Sequence, residues 1–505
     1  MHVFNRRFYD MFFDETTVGT ALIYLKIRTS TNGALRLKHI HLSNEGNKFN
    51  AINKFCMKKY SLYLLLLLIT AELTGNLCAQ NPLITNQFTA DPSARVFGDR
   101  VYVYPSHDIP CSEGKGRIGW FCMEDYHVFS SSNFTDWTDH GVIITQNNVP
   151  WVKPNSYSMW APDCIERNGK YYFYFPTSAK DTVAYGRGFT VGVAVADKPE
   201  GPYTPQPAPI KGIRGIDPNV FIDKDGQGYL YWSQQNIYAA KLKENMLELA
   251  SEPVVLQDLP TKGLKEGPFM FERNGVYYLT YPHVENKIER LEYAIGNNPL
   301  GPFKFAGVIM DESPTGCWTN HHSFIQFKKQ WYLFYHHNDL SPQFDKNRAI
   351  RADSLFFTAD GSIKKVIPTL RGVGLTAASK KIQIDRYSRV SETGASIAFL
   401  DTLARFDGWK TMFDNSNGWV QYNSVDFGKK KLKMVTVRAL SKTGGTLQIR
   451  LNNIQGPVIA TLKIPKGNEW TDARATLSTF KPGVQHLIIS SRENGNVEVD
   501  WVRFE

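Results

Sequence analysis

Five copies of one short pattern run along this chain, and each has the form of a β-hairpin. They read DPSARVFGDRVYVY from Asp91, APDCIERNGKYYFYF from Ala161, DPNVFIDKDGQGYLYW from Asp217, EGPFMFERNGVYYLTY from Glu266 and HHSFIQFKKQWYLFYH from His321. An apolar stretch leads into a tight polar turn, and an alternating aromatic stretch follows. Two antiparallel strands joined at a Gly, Asn or Asp turn have this signature. In three copies the opening residue stands eleven places before Tyr102, Tyr172 and Tyr332, and the copy at Asp217 has a turn one residue longer, Asp225-Gly226-Gln227-Gly228. The opening slots hold Asp91, Ala161, Asp217, Glu266 and His321.

Copies roughly 50 to 70 residues apart are the size of four-stranded propeller blades. The stretches between them also read as strands: DYHVFSSS (125–132), TVGVAVAD (190–197) and IYAAKLK (237–243). Five blades pack radially, so each innermost strand begins near the central channel. Three carboxylates and a histidine at one position of the repeat then point to a site on the common axis. Acids used only as strand-edge or turn residues would explain one Asp-Pro, but not the same placement in three copies. A sandwich array or a solenoid is the competing architecture, but solenoid repeats are shorter and more regular.

After about residue 380 the aromatic hairpins stop. Short strands such as KLKMVTVRAL, GTLQIRLN, PVIATLKI, HLIISS and VEVDWVRFE follow, the pattern of a separate sandwich of roughly 120 residues. The expected fold is all-β: a five-bladed β-propeller over 81–380, then a β-sandwich of jelly-roll type over 381–505.

The chain has 505 residues and a net charge of +10, with aromatics at 13%. Half of the excess charge falls in the first 80 residues, and the longest basic run later is Lys429-Lys430-Lys431. No nucleic-acid footprint is present. Residues 57–80, MKKYSLYLLLLLITAELTGNLCAQ, place two lysines before an apolar core from Leu62 to Ala71. That core is too short to span a membrane and reads as a secretory signal peptide. Met57 is then the expected start, residues 1–56 being an upstream mis-called extension; the alternative is a signal anchor. Cys78 follows Gly75-Asn76-Leu77, a poor lipobox, which argues against a lipid anchor and for cleavage near Ala79 or Gln80. The expected location is periplasmic or extracellular, with no stable membrane span after cleavage. Four cysteines remain: Cys111, Cys122, Cys164 and Cys317. Cys111 and Cys122 bracket a Gly-rich loop, and either a disulfide or free thiols fits them.

The ordered motifs resemble a known family. Asp91-Pro92, Met159-Trp160-Ala161-Pro162-Asp163, Asp217-Pro218-Asn219, Glu266-Gly267-Pro268 and Asn320-His321-His322-Ser323 resemble glycoside hydrolase family 43, a five-bladed propeller group, over roughly 81–375. The tail resembles carbohydrate-binding module family 6 through Trp419-Val420-Gln421-Tyr422, Val425-Asp426-Phe427-Gly428, Val437-Arg438-Ala439 and Val499-Asp500-Trp501.

The resemblance implies that Asp91 is a general base, Glu266 a general acid, and Asp217 the residue that orients the acid and raises its pKa. Inverting hydrolysis needs one carboxylate to activate water and one carboxylic acid to protonate the leaving oxygen, roughly 6.5–9.5 Å apart. A nearby negative charge also keeps an acid protonated. By resemblance His321 lies at the base of the cavity beside a calcium ion held mostly by water; the other reading is a direct hydrogen bond to Asp91 or Glu266. Calcium prefers oxygen ligands, so one histidine alone decides little. No organic cofactor is expected. Arg348 matches a family arginine near bound sugar, with a surface salt bridge as the other reading. Trp160 walls the pocket, or else is a core tryptophan.

The module departs from its family at Phe413, where a Tyr is common, and at Glu498, where an Asn is common. Phe413 and Trp470 could still sandwich a sugar ring, or the module could be a buttress for the propeller. The activity implied is pentose release from plant cell-wall glycans, with α-L-arabinofuranosidase on arabinoxylan ahead of β-xylosidase or another glycosidase on the same scaffold, such as an endo-arabinanase or galactosidase. A non-catalytic sugar-binding propeller is the opposing class. The expected partner is a plant polysaccharide or oligosaccharide; the sequence is silent on oligomeric state. The Gly-bearing insertion from His107 to Trp120 is a candidate specificity loop.

Overall fold

A computed structural model describes residues 81–403, 408–493 and 495–505. The signal peptide and upstream extension expected within 1–80 lie outside the described residues. Among the described residues every regular element is a β-strand.

Blade 1 consists of β1–β4 (Ala90–Phe97, Arg100–Asp108, Met123–Ser131, Thr138–Thr145). Blade 2 consists of β5–β8 (Asp163–Arg167, Lys170–Ser178, Phe189–Ala196, Thr204–Pro205). Blade 3 consists of β9–β12 (Ile216–Ile222, Gly228–Gln234, Asn236–Lys241, Val254–Val255). Blade 4 consists of β13–β16 (Phe269–Arg273, Val276–Val284, Glu289–Gly296, Phe303–Met310). Blade 5 has three strands, β17–β19 (Ser323–Phe327, Gln330–His337, Ala349–Leu355). Its outer edge is covered by the start of the described chain. Leu83 N–H donates to Ile350 O at 2.9 Å, and Asn81 exchanges bonds with Ala352 through both ends of its amide (3.0 and 3.1 Å). Irregular chain from the other end of the propeller thus covers the edge of the three-stranded blade.

The aromatic strand of each repeat is a two-faced wedge. Side chains alternate across a strand, so Val101 and Val103 join the core shared with Ile325, Phe334 and Ile350 of blade 5. Their neighbours Tyr102 and Tyr104 join Phe173 and Ala194 of blade 2. In the same way Leu230 and Trp232 pack toward blade 2, whereas Tyr229 and Tyr231 pack toward blade 4. Phe271 and Tyr278 meet Phe324 and Leu333 of blade 5. The hydrophobic core therefore lies between the blades.

A ring of polar bonds also joins the blades around the axis. Ser93 Oγ donates to Asp163 Oδ1 at 2.5 Å, linking blades 1 and 2. Asp163 Oδ2 accepts from Asn219 Nδ2 (3.0 Å) and Val220 N (2.7 Å), linking blades 2 and 3. Asn219 Oδ1 accepts Met270 N–H at 2.8 Å, reaching blade 4. His322 Nε2 and Thr280 Oγ1, 2.7 Å apart, connect blades 5 and 4. Ser323 Oγ takes Ala94 N–H (2.9 Å) and donates to Pro92 O (2.5 Å), closing the ring. Ser93, Asp163, Asn219 and Ser323 all stand two places after an opening slot.

The tail forms two packed sheets around one core that includes Val435, Val437, Leu447, Ile449, Ile489 and Val499. Its first strand is Thr376–Ala377, parallel to Val425 and Asp426. Sandwich structure therefore begins a few residues before the expected 381. Arg371, in the connection, donates from Nε to Asn423 O (2.9 Å) and from Nη2 to Gly374 O (2.7 Å), with its guanidinium 4.7 Å over the Tyr422 ring. Nearby Val373 is buried in the core between blades 5 and 1.

Candidate active site

Hairpin register decides which side chains reach the axis. Arg95 faces Tyr102, Phe221 faces Tyr229 and Phe271 faces Tyr278 across their strand pairs. Counting back four residues from each gives Asp91, Asp217 and Gly267. The strict slot of blade 4 is thus Gly267, and Glu266 arrives from one residue upstream, which corrects the sequence alignment. All three positions share a left-handed backbone, with φ of 47° at Asp91, 57° at Asp217 and 52° at Gly267. Aspartate tolerates this region better than most side chains. Glycine is required at 267 for a second reason: a Cβ there would lie 2.9 Å from His321 Nδ1 and 3.0 Å from Pro282.

Asp91 is buried and gripped. Arg348 donates from Nη1 to Oδ1 (2.7 Å) and from Nη2 to Oδ2 (3.1 Å), and Ser106 Oγ donates to Oδ2. The Asp91 N–H donates to His336 Nδ1 at 3.0 Å. That nitrogen is therefore an acceptor, and the His336 proton sits on Nε2, 3.0 Å from Thr319 O. Burial, the largest single influence, would raise the Asp91 pKa; Arg348, the neighbouring His336 and His321 and the Ser106 hydrogen bond together outweigh it, and the carboxyl stays below its usual value. Arg348 is held from behind by Asp108, through Nε (3.0 Å), Nη2 (3.0 Å) and its own backbone N–H (2.8 Å). Its guanidinium lies 4.8 Å under the Phe121 ring. Arg348 is 3% exposed, which rules out the surface salt bridge.

On the other side the carboxyls favour protonation. Burial, then Glu266 and Asp91, push the Asp217 pKa well above its usual value. Its Oδ2 accepts the Gly267 N–H at 2.9 Å, which ties it to the backbone that carries Glu266. Glu266 is raised by burial and by Asp91, against the opposing pull of a hydrogen bond from Glu289 and of Arg348. Glu289, on β15, is raised well above the usual range by burial and by Glu266. A low-pKa carboxylate and a raised-pKa carboxyl at one centre are the division of labour that base and acid require.

A cavity of about 280 Å³ reaches the centre at Glu266 and is lined besides by Trp160, Arg187, Phe189, Gln234 and Lys265 among others. Trp160 packs on Phe189 with ring centroids 4.4 Å apart, and its buried indole N–H has no acceptor from the described chain. Cys111 and Cys122 are free thiols in mutual contact beside this wall, with burial and Cys111 pushing Cys122 up to about 12.

Calcium takes roughly six to eight oxygen ligands. His321 offers one neutral ring nitrogen, since burial lowers its pKa, and its Nδ1 is 4.0 Å from Asp217 Oδ1. Among the described residues the three-ligand group with donor atoms within 4.8 Å of one another is His107, Asp125 and His127, which does not include His321. An ion beside His321 would therefore need water for most of its ligands.

In the sandwich, Phe413 is fully buried inside the core and offers no face to a sugar, which corrects the expectation placed on it. Its strand pairs with Val497–Val499, so inward alternation carries it between the sheets. Trp470 is half-buried, with Arg438 5.9 Å from its ring. Glu498 is engaged by Lys410 at 2.7 Å.

Sequence reasoning missed Asp108, His336 and Glu289. Asp108 and His336 belong to second strands of repeats, SHD and YHH, where a polar residue in an apolar run was the available signal. Glu289 lies outside the repeats, and nothing in its surroundings marks it.

The sequence profile of Glycosyl hydrolases family 43 matches residues 79–363, and that of Carbohydrate binding module (family 6) matches residues 391–505. A xylosidase/arabinosidase of Humicola insolens is 37% identical over 332 residues, spanning 56% of this chain and 98% of that protein. An arabinoxylan arabinofuranohydrolase of Bacillus subtilis is 27% identical over 486 residues, spanning 84% of this chain and 91% of that protein. The crystal structure of a β-xylosidase/α-arabinofuranosidase from a compost microbial metagenome, in complex with xylotriose, superposes with a TM-score of 0.51 at 35% identity, covering 57% of this chain and 97% of its own.

Proposed function

Because this chain belongs to the glycosyl hydrolases of family 43, and so is a glycoside hydrolase with a five-bladed propeller, we propose that it is an inverting α-L-arabinofuranosidase acting on arabinoxylan. The observation that supports this substrate is the span of similarity. Arabinoxylan arabinofuranohydrolases of two organisms align with 84–85% of the chain, across both domains. β-Xylosidase is the second reading, favoured by the higher identity of one-domain relatives such as a β-xylosidase of Xylanibacter ruminicola at 36%.

In the mechanism, Asp91 activates water. It is held ionised and oriented by Arg348, and of its roughly four lone-pair sites the one left on Oδ1 can accept from the water. The water attacks the anomeric carbon from the face opposite the leaving group. Glu266 protonates the departing oxygen. Asp217 orients Glu266 through the Gly267 N–H, and the two carboxyls together resist double ionisation. Trp160 walls the sugar pocket, while Arg348, buried behind Asp91 with its guanidinium engaged by Asp91 and Asp108, acts on the reaction through Asp91. His321 would hold a hydrated calcium ion, which supplies positive charge at the cavity base when bound. The chain acts outside the cytoplasm, carried there by the segment at 57–80.

Product analysis on arabinoxylan, linear xylan and arabinan tests the reading. Free arabinose from arabinoxylan, with xylan untouched, is expected. Xylose released stepwise from linear xylan, with arabinoxylan side chains left in place, would replace it with the β-xylosidase reading.

A further inference from the structure

Glu289 is a buried acid that the mechanism above leaves unused. It opens β15 and is 1% exposed. Its backbone N–H donates to Trp318 O at 3.0 Å, and its Oε2 accepts the Asn320 N–H at 2.6 Å. Oε1 is different: it is buried, and no N–H or O–H donor of the described chain reaches it. The side chain within hydrogen-bonding reach of this carboxyl is that of Glu266, another acid. A hydrogen bond between two carboxyls requires a proton, and two bare carboxylates in contact repel. Among the described residues no cation is dedicated to this pair, and Arg348 acts on Glu266 only from a distance. Arg348 is committed to Asp91 and Asp108, the nearby Asp217 and Asp91 are themselves acidic, and His321 and the Cys317 thiol favour their neutral forms.

The two oxygens of Glu289 are thus unequal. Oε2 behaves as the carbonyl oxygen, accepting the Asn320 N–H. Oε1 behaves as the hydroxyl, since it accepts from nothing. We propose that Glu289 is a positioning residue for the catalytic acid: it stays protonated, and its Oε1–H donates to the Glu266 carboxyl. That bond fixes the Glu266 rotamer and leaves the acid's own O–H free to face the leaving oxygen. When Glu266 gives up its proton, its O–H bond breaks, an O–H bond forms on the departing sugar oxygen, and the glycosidic C–O bond breaks. The new Glu266 carboxylate then keeps a donor already in place, and a hydrogen bond to an ionised acceptor is stronger than to a neutral one. The Glu289 proton stays where it is throughout.

This rests on Glu266 being the acid, and Glu289→Gln separates the two questions. Glutamine copies a protonated glutamate: its oxygen accepts the Asn320 N–H and its amide donates to Glu266. On whichever aryl pentosides and natural oligosaccharides the parent cleaves, Glu289→Gln is expected to keep kcat within about threefold and to leave the basic limb of the pH profile in place. Glu289→Ala, which removes the donor, is expected to lower kcat by about thirtyfold or more on a poor leaving group and less on a nitrophenyl leaving group, with KM little changed. Its basic limb should move upward, because the Glu266 carboxylate has lost a stabilising donor. If Glu289→Gln falls as far as Glu289→Ala while both retain the parent's melting temperature, the group acts as a charge and the proposal is overturned. Equal activity in Glu289→Ala overturns it as well. Where Glu289→Ala does not fold, the glutamine variant decides alone: retained rate and limb support the proposal, and a downward-shifted limb refutes it. Glu266→Gln, run beside them, reports on the acid assignment independently: if it keeps its rate on the poor leaving group, that assignment has failed, whatever Glu289 does.

Discussion

Arg348 closes on Asp91 as a fork, Nη1 on Oδ1 at 2.7 Å and Nη2 on Oδ2 at 3.1 Å, with both groups buried. A lysine carries the charge but cannot reproduce the fork or the bond to Asp108. Arg348→Lys should lower kcat/KM by about a hundredfold or more. It should also raise the Asp91 pKa toward its usual value, so the acid limb of the kcat/KM profile moves to higher pH. An unmoved acid limb would dissociate Arg348 from the base.

The acid and the base differ in what their loss costs. Asp91→Asn should abolish measurable turnover on every substrate. Glu266→Gln should lose about 10²–10⁴-fold on natural oligosaccharides and much less on aryl pentosides whose leaving groups need no proton. NMR of the first product should show an inverted anomeric centre; a retained one would falsify the water-activating role of Asp91.

Asp217 carries a stability cost whose sign follows from its raised pKa. Such a carboxyl favours the folded state below its unfolded pKa, and that advantage is lost as pH rises through the folded value. Asp217→Asn keeps an acceptor for the Gly267 N–H and tolerates the left-handed backbone. It should therefore melt higher than the parent, by an amount on the order of 1 kcal/mol that grows from acidic to neutral pH, while activity falls. Melting curves at several pH values check this; a gain that shrinks as pH rises would reverse the assignment.

If His321 holds a hydrated calcium ion, exhaustive chelation should lower kcat and added calcium should restore it. A metal-free preparation at full rate would leave His321 as a wall of the cavity beside Asp217 and Gly267.

With Phe413 in the core and Glu498 engaged by Lys410, neither side chain is offered to a sugar in the way expected of it. Titration of the isolated 374–505 fragment, which keeps the first sandwich strand, with xylo-oligosaccharides should show weak or no binding; tight saturable binding lost in Trp470→Ala would contradict this. Arg371→Ala should lower the melting temperature of the full chain by a few degrees, a loss of about 1–2 kcal/mol, without changing kcat on aryl pentosides. An unchanged melting temperature would make the sandwich an independent appendage.

The repeats made the propeller, the axis and the acidic slots legible, because side-chain alternation and turn chemistry are local properties. They also placed Asp91 and Asp217 correctly. The register of blade 4 was not legible: the glutamate stands one residue before the glycine that takes the slot, and only strand pairing distinguishes the two. Arg348 was visible as a residue but not as a buried fork, since its partner Asp108 lies 240 positions away. Glu289 was invisible for a similar reason: its meaning comes from an unmet oxygen, which requires three dimensions. Phe413 was misread because an aromatic residue in a sandwich strand faces either the core or the ligand, and one residue of register decides which.

The ring that runs from Ser93 through Asp163, Asn219 and Thr280 to Ser323 gives the five blades a shared fate. No blade can leave its neighbours without breaking buried polar joints on both sides, so partial opening near the axis costs nearly as much as losing the whole propeller. The innermost strands should therefore exchange their amide protons slowly and as one group. The acid and the base, carried at the beginnings of those strands, lose their alignment only when the entire wheel melts, so heat should end activity abruptly, at the unfolding transition itself, without a gradual decline before it.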